Sequence, residues 1–460
     1  MKKLIPCILL ALTFVGGNLW ADETADQPNN TPPPDTVENS DGEAGDGGDA
    51  TTAPEPVIIS GDTAWILTAS ALVLFMTIPG LSFFYAGLVR KKNVLSVLMH
   101  CFAITCVMTL LWVAVGYSGS FAEGGKYIGS LAKYGFMNGV SDTPHGNAGT
   151  IPHELFFIFQ MTFFIITPAL MVGAFVERIR FSAMLLFTAL WALIVYVPAC
   201  HMVWGGGIFG EMGVQDFAGG IVVHITAGFG ALVACIVLGP RKGYPESQMM
   251  PHNLPMTVAG TGMLWVGWFG FNGGSAVAAN GDAATAIVVT QISAATAALT
   301  WMAVEWLKHG KPSVLGIVTG SIAGLAAITP ASGVLGPQGA LIIGLVSGFI
   351  CWYASTAIKA KFKYDDSLDV FGVHGVGGLI GTLLLAFLGA SGTLDGRGEF
   401  AGGEQFMVQL KAAVAIGVFT IVATWIILKV VDAMVGLRVD EQDETGGLDI
   451  SAHGEAGYND

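Results

Sequence analysis

The chain has 460 residues, of which 53% are hydrophobic and only 12% are charged. A soluble protein of this length needs far more charge to cover its surface, so the composition excludes an ordinary soluble domain. Apolar blocks of about 20 residues, the length that a helix needs to cross a bilayer, recur along the chain. The short alternating segments of a membrane β-barrel are not seen, and we predict an all-α polytopic membrane protein.

The formal net charge of −14 is unevenly distributed. Residues 22–61 carry ten acidic side chains and no basic one, whereas residues 435–460 carry seven acidic side chains and one arginine. The rest of the chain is therefore slightly basic. The acidic balance belongs to two polar appendages and gives no indication of a nucleic-acid partner.

Residues 1–21 have the pattern of a secretory signal peptide, with two lysines, a short apolar core and Ala21 as the cleavage point. An uncleaved anchor is the alternative, but an apolar core of about 12 residues is too short to span a bilayer. Residues 22–61 are rich in Asp, Glu, Pro, Gly, Thr and Asn and cannot bury a core. We expect them to form a disordered periplasmic linker without a function of its own.

Eleven membrane spans follow in residues 62–434, and a cytoplasmic tail occupies residues 435–460. Five of the connecting loops hold twelve lysines and arginines, whereas the intervening loops hold only Lys126, Lys133 and Arg397. Basic loops stay in the cytoplasm, so the N-terminus is expected outside an inner (plasma) membrane and the C-terminus inside. A cleaved signal peptide demands the same orientation. The predicted spans are 63–89, 94–118, 152–176, 179–204, 219–240, 253–272, 284–306, 313–329, 338–358, 370–390 and 406–433.

Two stretches with the same Asp-to-His spacing open the fifth and tenth spans. They read DFAGGIVVH (216–224) and DSLDVFGVH (366–374). Spans one to five and six to ten would then be two related halves. Because five is an odd number, the second half would enter the membrane from the opposite side. The spacing therefore predicts a five-plus-five inverted repeat followed by a final helix, with His224 and His374 meeting near the bilayer centre.

A histidine inside a membrane span is costly and tends to face a cavity or a partner. Two histidines can share one hydrogen bond and titrate near neutral pH, so a pair offers a donor, an acceptor and a proton route. The alternative is a pair of packing histidines that bond to backbone carbonyls. Asp216 and Asp366 stand at helix starts, where a carboxylate caps free N–H groups. Asp216 has a second interpretation, which is long-range attraction of a cation.

Several aromatic residues fall near the predicted outer surface. An ordinary interfacial belt is the usual explanation of such a set, and a cation–π site is the alternative. A serine beside the aromatic rings would add a hydrogen-bond acceptor for a cation that carries N–H groups. The residues are Phe159 and Phe163, which share one helix face, and Trp204, Phe271 and Ser275.

The remaining chemistry-bearing residues predict neither an enzyme nor a metal or cofactor site. All six cysteines lie in apolar runs without metal-ligand spacing, so we expect no disulfide and no zinc. The sequence contains no HExxH and no GxSxG motif.

From about residue 62 onward the chain closely resembles the ammonium transporter family. The resemblance lies in the order and spacing of VERIRFSA, CHMVWGGG, DFAGGIVVHI, MPHNLP, GWFGFNGGS and DVFGVHGVGG. It implies a homotrimer with one pore in each eleven-helix subunit.

The resemblance also implies roles for particular residues. Trp204, Phe159 and Ser275 would form an outer ammonium site, with Asp216 supporting its vestibule. Phe163 and Phe271 would form a gate, and His224 and His374 would line the pore and relay protons. The tail, which resembles the family's cytoplasmic tail, would contact neighbouring subunits and receive a PII-type regulatory protein.

The expected activity is uptake of ammonium by deprotonation, passage of ammonia and separate proton transfer. Two alternatives stay open. One is an electroneutral, Rh-like ammonia channel, against which the aromatic outer site argues. The other is an ammonium sensor that signals through its tail.

Overall fold

A computed structural model describes residues 57–247 and 249–458. The signal peptide lies outside the described residues, as does all of the predicted linker except 57–61. In the described part of the chain every regular element is helical, which confirms the all-α prediction. The long helices are α1 (Ser60–Leu88), α2 (Lys91–Phe121), α3 (His153–Phe175), α4 (Phe181–Glu211), α5 (Gly220–Leu238), α6 (Leu254–Gly274), α7 (Gly281–His309), α8 (Val314–Ala331), α9 (Pro337–Phe362), α10 (Phe371–Leu388) and α11 (Gly402–Val435).

Each long helix coincides with one predicted span, within four residues at each end, except that α4 ends at Glu211, seven residues beyond the predicted end. Among the described residues, ten of them are long and apolar enough to cross a membrane, which confirms a multi-pass membrane protein. The exception is α6, whose glycines, threonines, tryptophans and asparagine make it less apolar than its neighbours. An eleventh crossing by α6 stays a prediction. Two short helices, α12 (Glu441–Gly446) and α13 (Leu448–His453), form the tail.

Small residues allow the helices to approach closely. At the crossing of α5 and α10, a Cβ added to Gly228 would lie 2.2 Å from the Cα of Gly375. Between α1 and α6, a Cβ on Gly260 would lie 2.2 Å from the backbone nitrogen of Phe84. Glycine at these positions lets backbones pack in lipid, where no hydrophobic force drives helices together.

A buried ion network joins four of the loops that we predicted to be cytoplasmic. Glu177 accepts from Arg90 at 3.0 Å and from Arg241 at 2.9 Å, and Arg241 also pairs with Asp365 at 2.9 Å. Burial acts to raise the pKa of Glu177 and of Asp365, but the guanidinium groups outweigh it and hold each pKa below its ordinary value. These loops therefore share one face of the molecule.

The tail packs against the same face. Arg438 pairs with the buried Glu444 at 2.8 Å, and Glu444 also accepts from the backbone N–H of Lys242 at 2.6 Å. Asp449 accepts from the backbone N–H of Ser96 at 2.8 Å, near the start of α2. Carboxylates in these positions fix the tail to the loops and to a helix N-terminus.

Candidate functional site

A cavity of about 280 Å³, the outer vestibule, opens on the face opposite the tail. Three residues that the sequence singled out, Phe163, Trp204 and Ser275, line it together. The Trp204 and Phe163 rings meet edge to face, with centroids 5.9 Å apart. The complete lining is Phe121, Asn147, Phe156, Gln160, Phe163, Val203, Trp204, Phe217, Ser275 and Val277.

Asp216 shapes this vestibule through its backbone and through its carboxylate. Its carbonyl oxygen accepts from the Trp204 indole N–H at 2.7 Å. Its carboxylate accepts the backbone N–H groups of residues 219–222, at 2.5 to 3.1 Å. Burial raises the pKa of Asp216 to about 6, and the four N–H groups oppose this shift. The carboxylate thus acts as the cap of α5.

Asp366 occupies the corresponding place before α10. Its carboxylate accepts from the backbone N–H of Phe371 at 2.7 Å. Irregular, π-helical turns follow both aspartates, at Gly220–Ile225 and Phe371–Gly375, and each turn carries one of the two histidines. This correspondence is what an inverted repeat predicts.

Ser275 and Phe159 contribute to the vestibule in different ways. The Ser275 hydroxyl donates to the carbonyl of Phe271 at 2.8 Å, so its oxygen is left as an acceptor beside Trp204. Phe159 is fully buried and does not belong to the lining of the vestibule. It packs edge to face on Phe163, with centroids 5.1 Å apart, and therefore lies one layer behind the cavity.

Phe163 and Phe271 close the floor of the vestibule. Their ring centroids are 4.4 Å apart with planes inclined by 40°, and both side chains are buried. Phe271 lies 6.1 Å from the ring of His224. The two phenylalanines, which we call the gate, thus separate the vestibule from the two histidines.

His224 and His374, the twin histidines, meet in the interior of the molecule. Their Nδ1 atoms are 3.2 Å apart, so one ring donates a hydrogen bond and the other accepts it. Nε2 of His224 has no protein partner among the described residues. The crossing of Gly228 and Gly375 holds α5 and α10 close enough for this contact.

The twin histidines line a second, narrower space beyond the gate, the inner cavity. It measures about 10 Å³, roughly the room that one water-sized molecule needs. Apart from the histidines, the lining is apolar and aromatic. It consists of Met76, Leu81, Phe84, Ile166, Leu170, Val223, Leu264, Trp268, Phe271 and Ile322.

Among the cavity-lining residues that were not predicted from the sequence are Trp268 and Gln160. Trp268 lies beside His224, with ring centroids 5.5 Å apart, and its indole N–H donates to Thr329 at 2.9 Å. Gln160 lines the vestibule, and its Oε1 has no hydrogen-bond partner among the described residues. The sequence could have indicated both residues, because Trp268 belongs to the motif GWFGFNGGS and Gln160 is a polar residue between Phe159 and Phe163.

Comparison with known proteins gives a consistent result. A model of the Ammonium Transporter Family matches residues 64–458. An ammonium transporter of Bacillus subtilis is 45% identical over 87% of this chain and 99% of its own length. One of Archaeoglobus fulgidus is 44% identical over 86% of this chain and 99% of its own length.

Solved structures agree. A protein described as a sensor Amt protein superimposes with a TM-score of 0.79 at 29% identity, covering 85% of this chain and 98% of its own. Mep2 of Candida albicans gives a TM-score of 0.76 at 34% identity, covering 84% of this chain and 88% of its own. The chain therefore belongs to the ammonium transporter family.

Proposed function

We propose that this protein takes up ammonium across the membrane and is a transporter, not an enzyme. The vestibule recruits the cation. Trp204 and Phe163 present aromatic rings, which attract a cation by their quadrupole, and the Ser275 oxygen accepts one of its N–H groups. Phe159 acts indirectly, by fixing the ring of Phe163. Asp216 holds Trp204 and the start of α5 in place.

Selection against potassium follows from the chemistry beyond the gate. The inner cavity has an apolar lining, and an ion stripped of water costs several kcal/mol or more in such surroundings. Ammonium avoids this cost by losing a proton, because ammonia is neutral and small. Potassium has no proton to lose. The gate and the inner cavity therefore admit the neutral molecule and exclude both cations.

The twin histidines carry the proton that ammonium releases. When ammonium is deprotonated, one N–H bond breaks, its electron pair stays on nitrogen, and the proton passes to a ring nitrogen of His224, which lies against Phe271 of the gate. A hydrogen-bonded pair of imidazoles can hand a proton from one ring to the other. Ammonia and proton then cross separately, and the net result is electrogenic transport.

The observation that carries this proposal is the Nδ1–Nδ1 contact of 3.2 Å in an otherwise apolar cavity beneath a closed gate. The test is the current from proteoliposomes after an ammonium pulse, with potassium as the control ion. Wild-type protein is compared with His224→Ala and His374→Ala. We expect a current for ammonium alone, and we expect each variant to lose the current or its selectivity.

Two other outcomes would point to other functions. Ammonia flux without current in wild-type protein would indicate an electroneutral, Rh-like channel. A correctly folded protein without flux would indicate a sensor. The sensor alternative rests on the similarity to the sensor Amt protein and on the close packing of the tail against the helices.

We also propose an assembly, an orientation and a domain organisation for this protein. A signal peptide (1–21) and an acidic linker (22–61) would precede the transporter domain (62–434), with the N-terminus periplasmic and the tail (435–460) cytoplasmic in the inner membrane. The subunits would form a homotrimer. The face that carries Arg438 and Glu444 would receive a PII-type protein. Native mass spectrometry of the purified protein, with and without such a partner, tests both assemblies.

A further inference from the structure

Two glutamines on α11, the helix that follows the two predicted five-helix halves, are buried. Gln405 is 7% exposed and Gln409 is fully buried. A buried amide destabilises a fold unless its donors and acceptor find partners, and in a membrane protein such groups are concentrated at functional positions. The partners of these two amides are therefore informative.

Both amides bind the backbone of the loop between α4 and α5. Gln409 Nε2 donates to the carbonyl of Gln215 at 2.7 Å, and Gln409 Oε1 accepts from the N–H of Gln215 at 2.9 Å. Gln405 Nε2 donates to the carbonyl of Gly213 at 3.0 Å and to Gln409 Oε1 at 3.0 Å. Gln409 Nε2 also reaches the carbonyl of Thr382 on α10, at 3.3 Å.

This network determines the orientation of the Gln409 amide. A backbone N–H requires an oxygen opposite it, and a backbone carbonyl requires a nitrogen. Because Gln215 presents both groups, only one orientation of the amide of Gln409 satisfies them. The paired hydrogen bonds to the backbone of Gln215 thus fix the position of this loop along α11.

The residue after Gln215 is Asp216, which binds the Trp204 indole through its carbonyl and caps α5 through its carboxylate. The next residue, Phe217, lines the vestibule, and its N–H donates to the carbonyl of Pro330 at 3.2 Å. A shift of residues 213–215 would therefore move the indole of Trp204 and the wall of the vestibule. The network joins α11 to the wall of the vestibule, although neither glutamine belongs to its lining.

We infer that Gln409, supported by Gln405, is a positioning residue for the outer ammonium site. The inference rests on the proposed function, because it assumes that Trp204 recruits ammonium. Displacements of about 1 Å in a binding group are enough to change its efficiency strongly. Loss of the Gln409 amide is expected to raise the half-saturating ammonium concentration by roughly tenfold. The maximal current should stay near the wild-type value, because the gate and the twin histidines are untouched.

The test measures ammonium current against ammonium concentration in proteoliposomes for wild-type protein, Gln409→Met and Thr420→Val. Methionine keeps the length of the side chain and removes every hydrogen bond. Thr420 is the matched control, since it is a fully buried polar residue on the same helix and its hydroxyl has no partner among the described residues. We expect the tenfold shift in Gln409→Met and wild-type behaviour in Thr420→Val.

A double-mutant cycle separates positioning from general stability. Trp204→Phe removes the indole N–H that reaches Asp216. If Gln409 acts through this loop, the shift in the double variant is smaller than the product of the two single shifts. Multiplicative shifts, or a fall in maximal current together with the melting temperature and no change in half-saturation, would overturn the inference.

Should Gln409→Met fail to fold, Gln405→Met serves in its place. It removes only the bonds to Gly213 and to Gln409, so a smaller shift of the same kind is expected, and an unchanged half-saturation would overturn the inference. A wild-type protein without ammonium current would refute the proposed function. A conducting wild type with an unaffected Gln409→Met would refute this inference alone.

Discussion

The crossing of α5 and α10 permits a sharp test of how the twin histidines are held. A Cβ on Gly228 would lie 2.2 Å from the Cα and the nitrogen of Gly375, about 1.2 Å short of ordinary contact at 3.4 Å. Both atoms belong to backbone and cannot rotate away, so Gly228→Ala must separate the helices. The Nδ1 atoms of His224 and His374, now 3.2 Å apart, would move beyond hydrogen-bond distance.

We expect Gly228→Ala to destabilise the folded protein by about 1–3 kcal/mol, as overpacked interiors do, and to abolish selective ammonium current. Gly262→Ala is the matched control, because Gly262 lies exposed in the middle of α6 with no atom within 4 Å of an added Cβ. This control should be neutral or stabilising, since alanine favours a helix by up to about 1 kcal/mol over glycine.

The measurements are thermal unfolding of the solubilised protein and current from proteoliposomes, each for both variants. Both effects follow from a steric argument alone and do not depend on the protonation of the histidines. Normal current and unchanged stability in Gly228→Ala would show that the two backbones can separate freely. In that case the reasoning that links their contact to the histidine pair is wrong.

Three further predictions concern charge and hydrogen bonding. Burial raises the pKa of Asp216 from 3.8 in the unfolded chain to about 6 in the folded protein. The folded protein therefore binds a proton at this carboxyl more tightly than the unfolded chain does. The contribution of the carboxyl to stability falls as pH rises between these two pKa values. Below about pH 6 the protonated carboxyl caps α5 less well, and the half-saturating ammonium ion concentration should rise between pH 7 and pH 5. Asp216→Asn should remove this pH dependence, and an unchanged profile would contradict the role. Ser275→Ala removes the acceptor in the vestibule and should raise half-saturation roughly fivefold to tenfold without lowering maximal current; identical titration curves would exclude a contact with the cation. Glu177→Gln removes the carboxylate that Arg90 and Arg241 share, while Arg241 keeps Asp365, and should cost about 1.5–3 kcal/mol in unfolding experiments. Asp282→Asn, which breaks an exposed pair, should cost less than about 1 kcal/mol. The pKa of Glu177 is lowered in the folded protein, so its stabilisation is present above the unfolded value of 4.5 and is lost only as pH falls through the folded value; a loss of stability at neutral pH would contradict this.

The membrane-spanning helices could be predicted from the sequence because apolar length is a local property. Each predicted span coincides with one helix, and the basic loops at 90–93, 177–181 and 240–246 converge on one face through Glu177 and Arg241. Helix α6 coincides with the predicted span 253–272, but the glycines that allow it to pack closely on α1 lower its hydropathy, so its crossing of the membrane stays a prediction.

Part of the candidate site could also be predicted, because some of its residues stand at a regular spacing in the sequence. The eight-residue spacing that ends at His224 and His374 led to the expectation that they meet, and the structure places their Nδ1 atoms 3.2 Å apart. The helical spacing of Phe159 and Phe163 puts them on one face. It cannot say which ring is nearer the opening, and the packing against Gly274 places Phe159 behind Phe163.

Only the tertiary structure decided how the outer site is held. Gln409 and Gln215 are 194 residues apart in sequence, and neither has a periodic pattern that would pair them. Each glutamine in isolation is an ordinary polar residue in or near an apolar segment. Their connection depends on where α11 crosses the loop after α4, and the three-dimensional packing of eleven helices sets that crossing. Apolar length and motif spacing thus predicted the helices and the candidate site, whereas long-range backbone contacts determined the geometry of that site.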